Sequence, residues 1–185
     1  MLPTRKGAAM TERKFNVLFL CTGNSARSIL AESILQKDGR DRFNAYSAGS
    51  HPRGSIQPLA LKILASFDYP VDGFRSKPWD EFAVPGAPIM DFVFTVCDDA
   101  AGEACPVWPG QPMTAHWGIT DPAAVQGSPM DRERAYVDAF RYMKNRISLF
   151  LALPLSKLEP LSLSARLREI GRAEGASSGR SEVVR

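Results

Sequence analysis

A chain of 185 residues, 44% hydrophobic and 23% charged, is long enough for one domain with a sizeable core. Its formal net charge of +3 belongs to the ends: the basic surplus lies in residues 1–14 and 156–185, the body between is slightly acidic, and no basic stripe marks a nucleic-acid partner. Residues 1–14 lack the apolar core of a secretory signal, and the longest apolar run, 147–155, is too short for a bilayer and is broken by Ser148 and Pro154, so a cytoplasmic protein without a membrane anchor is expected.

A first strand is read at 15–20 from its β-branched and aromatic residues, and it runs directly into Cys21-Thr22-Gly23-Asn24-Ser25-Ala26-Arg27-Ser28. A helix follows over 28–38, with Ile29, Leu30, Ile34 and Leu35 at helical spacing. Strand 43–47 and helix 58–67 come next. The proline-bearing stretch 68–90 reads as irregular, with at most a short helix near Trp79 to Ala83. Strand 91–96 ends at Cys97, and the small, polar residues 98–104 lead to Cys105. A weaker strand at 113–117 precedes Asp121-Pro122, on a loop after it. Asp131 is expected to cap a long helix whose Tyr136, Phe140, Met143, Ile147 and Phe150 form a core stripe. Beyond Pro154, Leu163, Leu167 and Ile170 mark a short amphipathic helix.

The alternation predicts an α/β fold: a four-stranded parallel sheet of order 2-1-3-4 with helices on both faces. Residues 15–155 are expected to form its single domain and 156–185 a C-terminal extension. Residues 1–14 and the Gly/Ser/Arg-rich end from Gly171 are expected to be disordered.

A Cys-x5-Arg-Ser loop between a strand and a helix is built to hold a tetrahedral oxyanion. Its small residues, Thr22 to Ala26, let successive amides curl inward at a helix N-terminus, and Arg27 adds a two-pronged cation. The same positive charge is expected to lower the pKa of Cys21 toward the reactive range of about 3.5 to 7.5, with Ser28 donating a further hydrogen bond to the sulfur. In a sheet of this order, strands one and three are neighbours and their carboxyl ends form the ligand-binding edge. Cys21 and Cys97 leave those two strands, so both face one crevice, with Cys105 close behind. Three cysteines, an odd count, suit thiols that react or pack better than a disulfide framework. Cys97 also reads as a buried small hydrophobe. A zinc site from Cys97, Cys105 and His116 is a weaker alternative, because the gap between the two cysteines is wide and no fourth ligand is evident. His116 reads as a packing or hydrogen-bonding residue beside Trp117, and His51 as a loop residue. Asp121 is either a turn initiator or a carboxyl acid at the same edge.

Cys21 to Ser28, together with Tyr46-Ser47-Ala48-Gly49, Thr95-Val96-Cys97, Cys105-Pro106, His116-Trp117-Gly118 and Asp121-Pro122, resemble the thioredoxin-coupled arsenate reductases. That family shares the fold of the low-molecular-weight protein tyrosine phosphatases. The likeness spans about Phe15 to Leu151. It implies arsenate as substrate, bound by Arg27 and the amides of Thr22, Gly23, Asn24, Ser25, Ala26 and Ser28. It further implies Cys21 as nucleophile, Asp121 as general acid, Cys97 and Cys105 as the rest of a thiol relay, and thioredoxin as reductant. No cofactor is implied beyond a potassium ion that some members bind near the residues matching Asn24 and Glu32. Lys77 falls where those members supply a carboxylate. The chain departs from many relatives in having Ala26 where they carry a second loop cysteine. A phosphomonoester phosphatase is the nearest rival, since Cys21, Arg27 and Asp121 suffice for it. The tyrosine that usually follows its acid Asp-Pro is replaced here by Ala123-Ala124. An oxyanion-binding module without turnover is the third reading.

Overall fold

Strand β1, Phe15–Cys21, forms the centre of the sheet, and Val17 to Leu20 on it are fully buried. Parallel strands covered on both faces read as such continuous apolar runs. The computed structural model describes residues 13–103 and 106–177. Within them, β1 pairs in parallel with β2 (Phe43–Gly49) and β3 (Phe92–Thr95), and β3 with β4 (Met113–His116). The order is β2-β1-β3-β4, as expected. The register sets Cys21 beside Gly49 and Thr95 beside His116, which brings every functional strand end to one edge.

Side chains alternate across β1. Val17, Phe19 and Cys21 face the larger core, built with α1 (Arg27–Asp38), α2 (Pro58–Ser66), α4 (Pro129–Leu151) and α5 (Pro160–Gly171). Leu18 and Leu20 face a smaller cluster closed by Phe82, on the 3-10 turn Trp79–Phe82, and by Trp108. In the larger core Phe94 stacks on Trp117 at 3.9 Å between ring centroids, and Phe150 packs edge-on against both.

The structure differs from the expectations in three local details. The cap of α4 is Ser128, not Asp131: the Ser128 hydroxyl accepts from the Asp131 amide at 3.1 Å, and Asp131 Oδ2 accepts from the Ser128 amide at 2.9 Å. This reciprocal capping box moves the helix start upstream to Pro129. A short helix α3, Asp98–Gly102, occupies the connection after Cys97. Residues 171–177, expected to lack structure, are held in place by the fully buried Arg146 and by a bridge of Ala176 to Ile119. Residues 1–12, 104–105 and 178–185 lie outside the described part, and with them the expectations for both ends and for Cys105. Among the described residues no helix is long and apolar enough to cross a membrane.

Candidate active site

Residues 22–26 link the end of β1 to the start of α1, and their carbonyls are turned outward. Thr22 O accepts from the His51 amide at 2.9 Å, Gly23 O from the Arg53 amide at 3.0 Å, and Ser25 O from the Gln57 amide at 2.9 Å. A trans peptide points its NH away from its own carbonyl, so the amides of Gly23, Asn24 and Ala26 are turned to the inside of the loop. Asn24 sits at φ +42°, a left-handed conformation that asparagine tolerates better than most residues, and it braces the loop from within. Its amide donates to Ser28 Oγ at 2.9 Å and Ser47 Oγ at 3.0 Å, and its carbonyl accepts from the Lys77 amide at 2.9 Å. Gly49 must be glycine here, because a Cβ would stand 2.4 Å from Thr22 O.

Helix α1 begins without a side-chain cap, which leaves its first amides as free donors. Arg27 adds another: its Nε is buried with no partner among the described residues. The rest of the guanidinium is braced, Nη1 donating to Ile119 O at 3.0 Å and Nη2 standing 3.5 Å from Asp121 Oδ2. Thr22, Gly23, Ser25, Ala26 and Arg27 line a cavity of about 160 Å³ together with Cys21, Asp121 and Ala123. Leaving a buried donor such as Arg27 Nε without an acceptor costs about 1–3 kcal/mol, which an acceptor in the cavity would recover. Asp121 stands at its mouth, capping the 3-10 turn Pro122–Ala124 through its Oδ1 on the Ala123 amide at 3.0 Å.

Cys97 reaches the loop from β3. It caps α3, and its sulfur accepts from the Ala100 amide at 3.4 Å and the Thr22 amide at 3.2 Å, with the Thr22 hydroxyl 3.6 Å away. Cys21, also buried, directly precedes Thr22, and its thiol interacts with the same sulfur. The pair therefore shares a proton unevenly. Donation from Cys21, helped by the Thr22 hydroxyl and the Ala100 amide and reinforced by Arg27, overcomes burial and lowers the Cys97 pKa to about 6. The same hydrogen bond, with burial, raises Cys21 well above the ordinary thiol value, and Arg27 and the Gly23 amide oppose the rise without reversing it. The expected low pKa of Cys21 is thus corrected: its neighbouring thiol and burial push Cys21 up, while Cys97, whose sulfur also receives the Thr22 and Ala100 amides, is pushed down. Ser28 likewise accepts from Asn24 instead of bonding to Cys21.

His116 bonds through Nδ1 to Thr95 Oγ1 and through Nε2 to Asp98 Oδ1, both at 2.8 Å, as expected for a hydrogen-bonding residue beside Trp117. Among the described residues no three His, Cys, Asp or Glu side chains converge on a metal-sized point. Three cavity residues, His51, Arg53 and Asp99, escaped the sequence reading as site residues. His51 and Arg53 line the mouth, and the Arg53 stem lies against Gly23, where a Cβ would come within 3.1 Å of its Nε. The available signal for these two was the parallel pairing of strands one and two, which delivers residues 50–57 to the loop. Behind the loop, Ser47 donates to Glu32, and Lys77 Nζ sits 3.9 Å from Glu32 Oε2 and 3.1 Å from Arg75 O. Burial raises the Glu32 pKa and lowers that of Lys77, while each charge opposes the shift of the other.

The low molecular weight phosphotyrosine protein phosphatase family matches residues 16–149. Arsenate reductase of Oceanobacillus iheyensis is 34% identical over 134 residues, 72% of this chain and 93% of the relative. Arsenate reductase of Bacillus licheniformis is 36% identical over 119 residues, 64% of this chain and 82% of the relative. The structure of a Corynebacterium glutamicum thioredoxin-dependent arsenate reductase superposes with a TM-score of 0.54 at 23% identity, over 78% of this chain and 64% of that one. With a Cys-x5-Arg loop at the end of β1 and these relatives, the chain belongs to the low molecular weight phosphotyrosine protein phosphatase family, alongside members named arsenate reductase.

Proposed function

We propose that this enzyme reduces arsenate to arsenite, with thioredoxin as the electron donor. The observation that carries the reading is the Cys97 sulfur 3.2 Å from the Thr22 amide, which sets a second thiol beside Cys21 at the floor of the loop. Arsenate bound by the loop amides and Arg27 is attacked by the Cys21 sulfur, and Asp121 protonates the departing oxygen, which leaves as water. The Cys21 proton passes to an oxygen of the bound dianion, and the loop amides and Arg27 hold the resulting thiolate and oxyanion for the attack. Cys97 attacks the Cys21 sulfur next. The sulfur–arsenic bond breaks with its electron pair going to arsenic, so As(V) becomes As(III) as two thiols become one disulfide. Cys105 then attacks Cys97, freeing Cys21 and leaving a Cys97–Cys105 disulfide for thioredoxin to reduce.

Phosphomonoester hydrolysis is the second reading, favoured by the Arg27–Asp121 pair, which serves a cysteinyl-phosphate equally well. The cavity wall speaks against aryl phosphates: Ala123 follows Asp121-Pro122, and His51 and Arg53 stand opposite, so no aromatic cleft is built. The deciding assay supplies arsenate, thioredoxin, thioredoxin reductase and NADPH to the wild-type protein. Arsenate-dependent NADPH oxidation with arsenite release is expected, and rapid aryl phosphate hydrolysis without any arsenite would decide for the rival.

The residues beside Asn24 do not fit a potassium ion. Lys77 already brings an ammonium group to Glu32, and a second cation there would meet it in a poorly hydrated pocket. We read Lys77 as the resident charge. Turnover is therefore expected to be the same in potassium and in sodium salts at equal ionic strength, and Lys77→Met to weaken arsenate binding by freeing Glu32, which holds Asn24 through Ser47. A potassium-specific rise in the wild-type rate would refute this.

A further inference from the structure

The family match ends at residue 149, yet the chain beyond it returns to the active-site edge. Helix α5 buries Leu163, Leu167 and Ile170, and its Leu167 carbonyl accepts from Trp117 Nε1 at 2.9 Å. Gly171 ends the helix against His116 O, where a Cβ would stand 2.1 Å away. The buried Arg146 guanidinium then gathers the carbonyls of Gly171, Ala173 and Glu174, at 3.4, 3.3 and 3.0 Å. So directed, residues 172–177 run to the loop after β4. Ala176 bridges Ile119 in antiparallel fashion, and the Ser177 amide donates to Gly118 O at 3.1 Å.

The Ser177 hydroxyl donates to Asp98 Oδ1 at 2.7 Å. Asp98 is the first residue of α3, directly after Cys97, and the same oxygen accepts from His116 Nε2 at 2.8 Å. His116 is in turn held by Thr95, two residues before Cys97. The cluster closes over Gly118, where a Cβ would lie 2.5 Å from Ser177 Oγ and 2.8 Å from Asp98 Oδ1. Cys97 is thus flanked on both chain sides by members of one network, and the C-terminal extension supplies its outermost member.

We propose that Ser177 is a positioning residue for the thiol relay: together with His116 it anchors Asp98, and so holds the first turn of α3 with the Cys97 sulfur against Cys21. The strap keeps the reduced arrangement in place for the first disulfide. The relay role rests on the reductase reading above, whereas the anchoring does not.

The test therefore needs neither arsenate nor thioredoxin. Full-length wild type, Ser177→Ala and Ser177→Thr are fully reduced and exposed to iodoacetamide, and labelling of Cys97 is followed by peptide mass spectrometry alongside amide hydrogen exchange. Ser177→Ala is expected to label Cys97 about tenfold faster, the scale of one lost hydrogen bond to a carboxylate, with faster exchange confined to α3. Ser177→Thr, which keeps the hydroxyl, is expected to follow the wild type. Unchanged Cys97 labelling in Ser177→Ala overturns the proposal. So does a rise matched by faster exchange throughout β1 and α1, which would mark general loosening.

Discussion

Cys97→Ser is expected to stop thioredoxin-dependent arsenite production, a fall of about a thousandfold or more, because no other thiol among the described residues touches Cys21. Hydrolysis of a small phosphomonoester, however slow in the wild type, should survive, since it needs only Cys21, Arg27 and Asp121. Cys21→Ser removes both activities, as a hydroxyl in this loop has no comparable ionised form to attack with. The contrast between the two variants separates a relay from a hydrolase inside one protein. Cys105→Ser adds the order of events: after a single turnover, mass spectrometry should find Cys21 bonded to Cys97, and a free Cys97 after arsenite release would contradict the sequence of steps. The same variants report the shared proton. Ultraviolet thiolate absorbance of the resting wild type should rise as pH passes upward through about 6, and this step should vanish in Cys97→Ser. Below that pH Cys97 is protonated, so the disulfide-forming attack slows on the acid side.

Arg27→Ala is expected to lower kcat/KM for arsenate by about 10²- to 10⁴-fold, the loss of two charge-assisted hydrogen bonds at about 1.5–3 kcal/mol each. Its buried Nε has no partner in the described structure, so on the proposed reading that donor is available to the anion. The side chain is also positioned by Ile119 O and Asp121, and its removal frees the acid as well as the anion. Arg27→Lys should recover little, because an ammonium group offers one point of charge where the guanidinium fork presents two parallel donors. Protection of Cys21 from alkylation by inorganic phosphate supplies a check that needs no turnover. Near-wild-type kcat/KM in Arg27→Lys would remove the fork from the argument.

The anion loop was readable because its parts are contiguous: an apolar strand, small residues that permit the curl, Arg27 and then a helix. The parallel sheet and its order were readable from the alternation of strand and helix patterns, and the meeting of Cys21 with Cys97 from the topology those patterns imply. The capping box of α4 was half legible, since Ser128 and Asp131 stand at the right spacing, but a single acidic residue drew the assignment to itself. Helix α3 was not legible at all. Five residues carry no periodicity, and its start is stabilised by the Cys97 sulfur in the capping position, a role for which serine, threonine and aspartate are the usual signals.

Local patterning by itself therefore determined the strand and helix sites and the Cys-x5-Arg loop between the first of each, because each depends on residues within one turn or one strand of another, while the role of Cys21 in that loop came from the family resemblance. Only the tertiary structure decided that the Cys97 sulfur receives the Thr22 and Ala100 amides, that Lys77 stands beside Glu32, and that Ser177 comes back to Asp98. Those outcomes depend on how many donors reach a given atom from segments far apart in the chain, and hydrogen bonds and charges act through distance in space, which no neighbouring-residue pattern encodes.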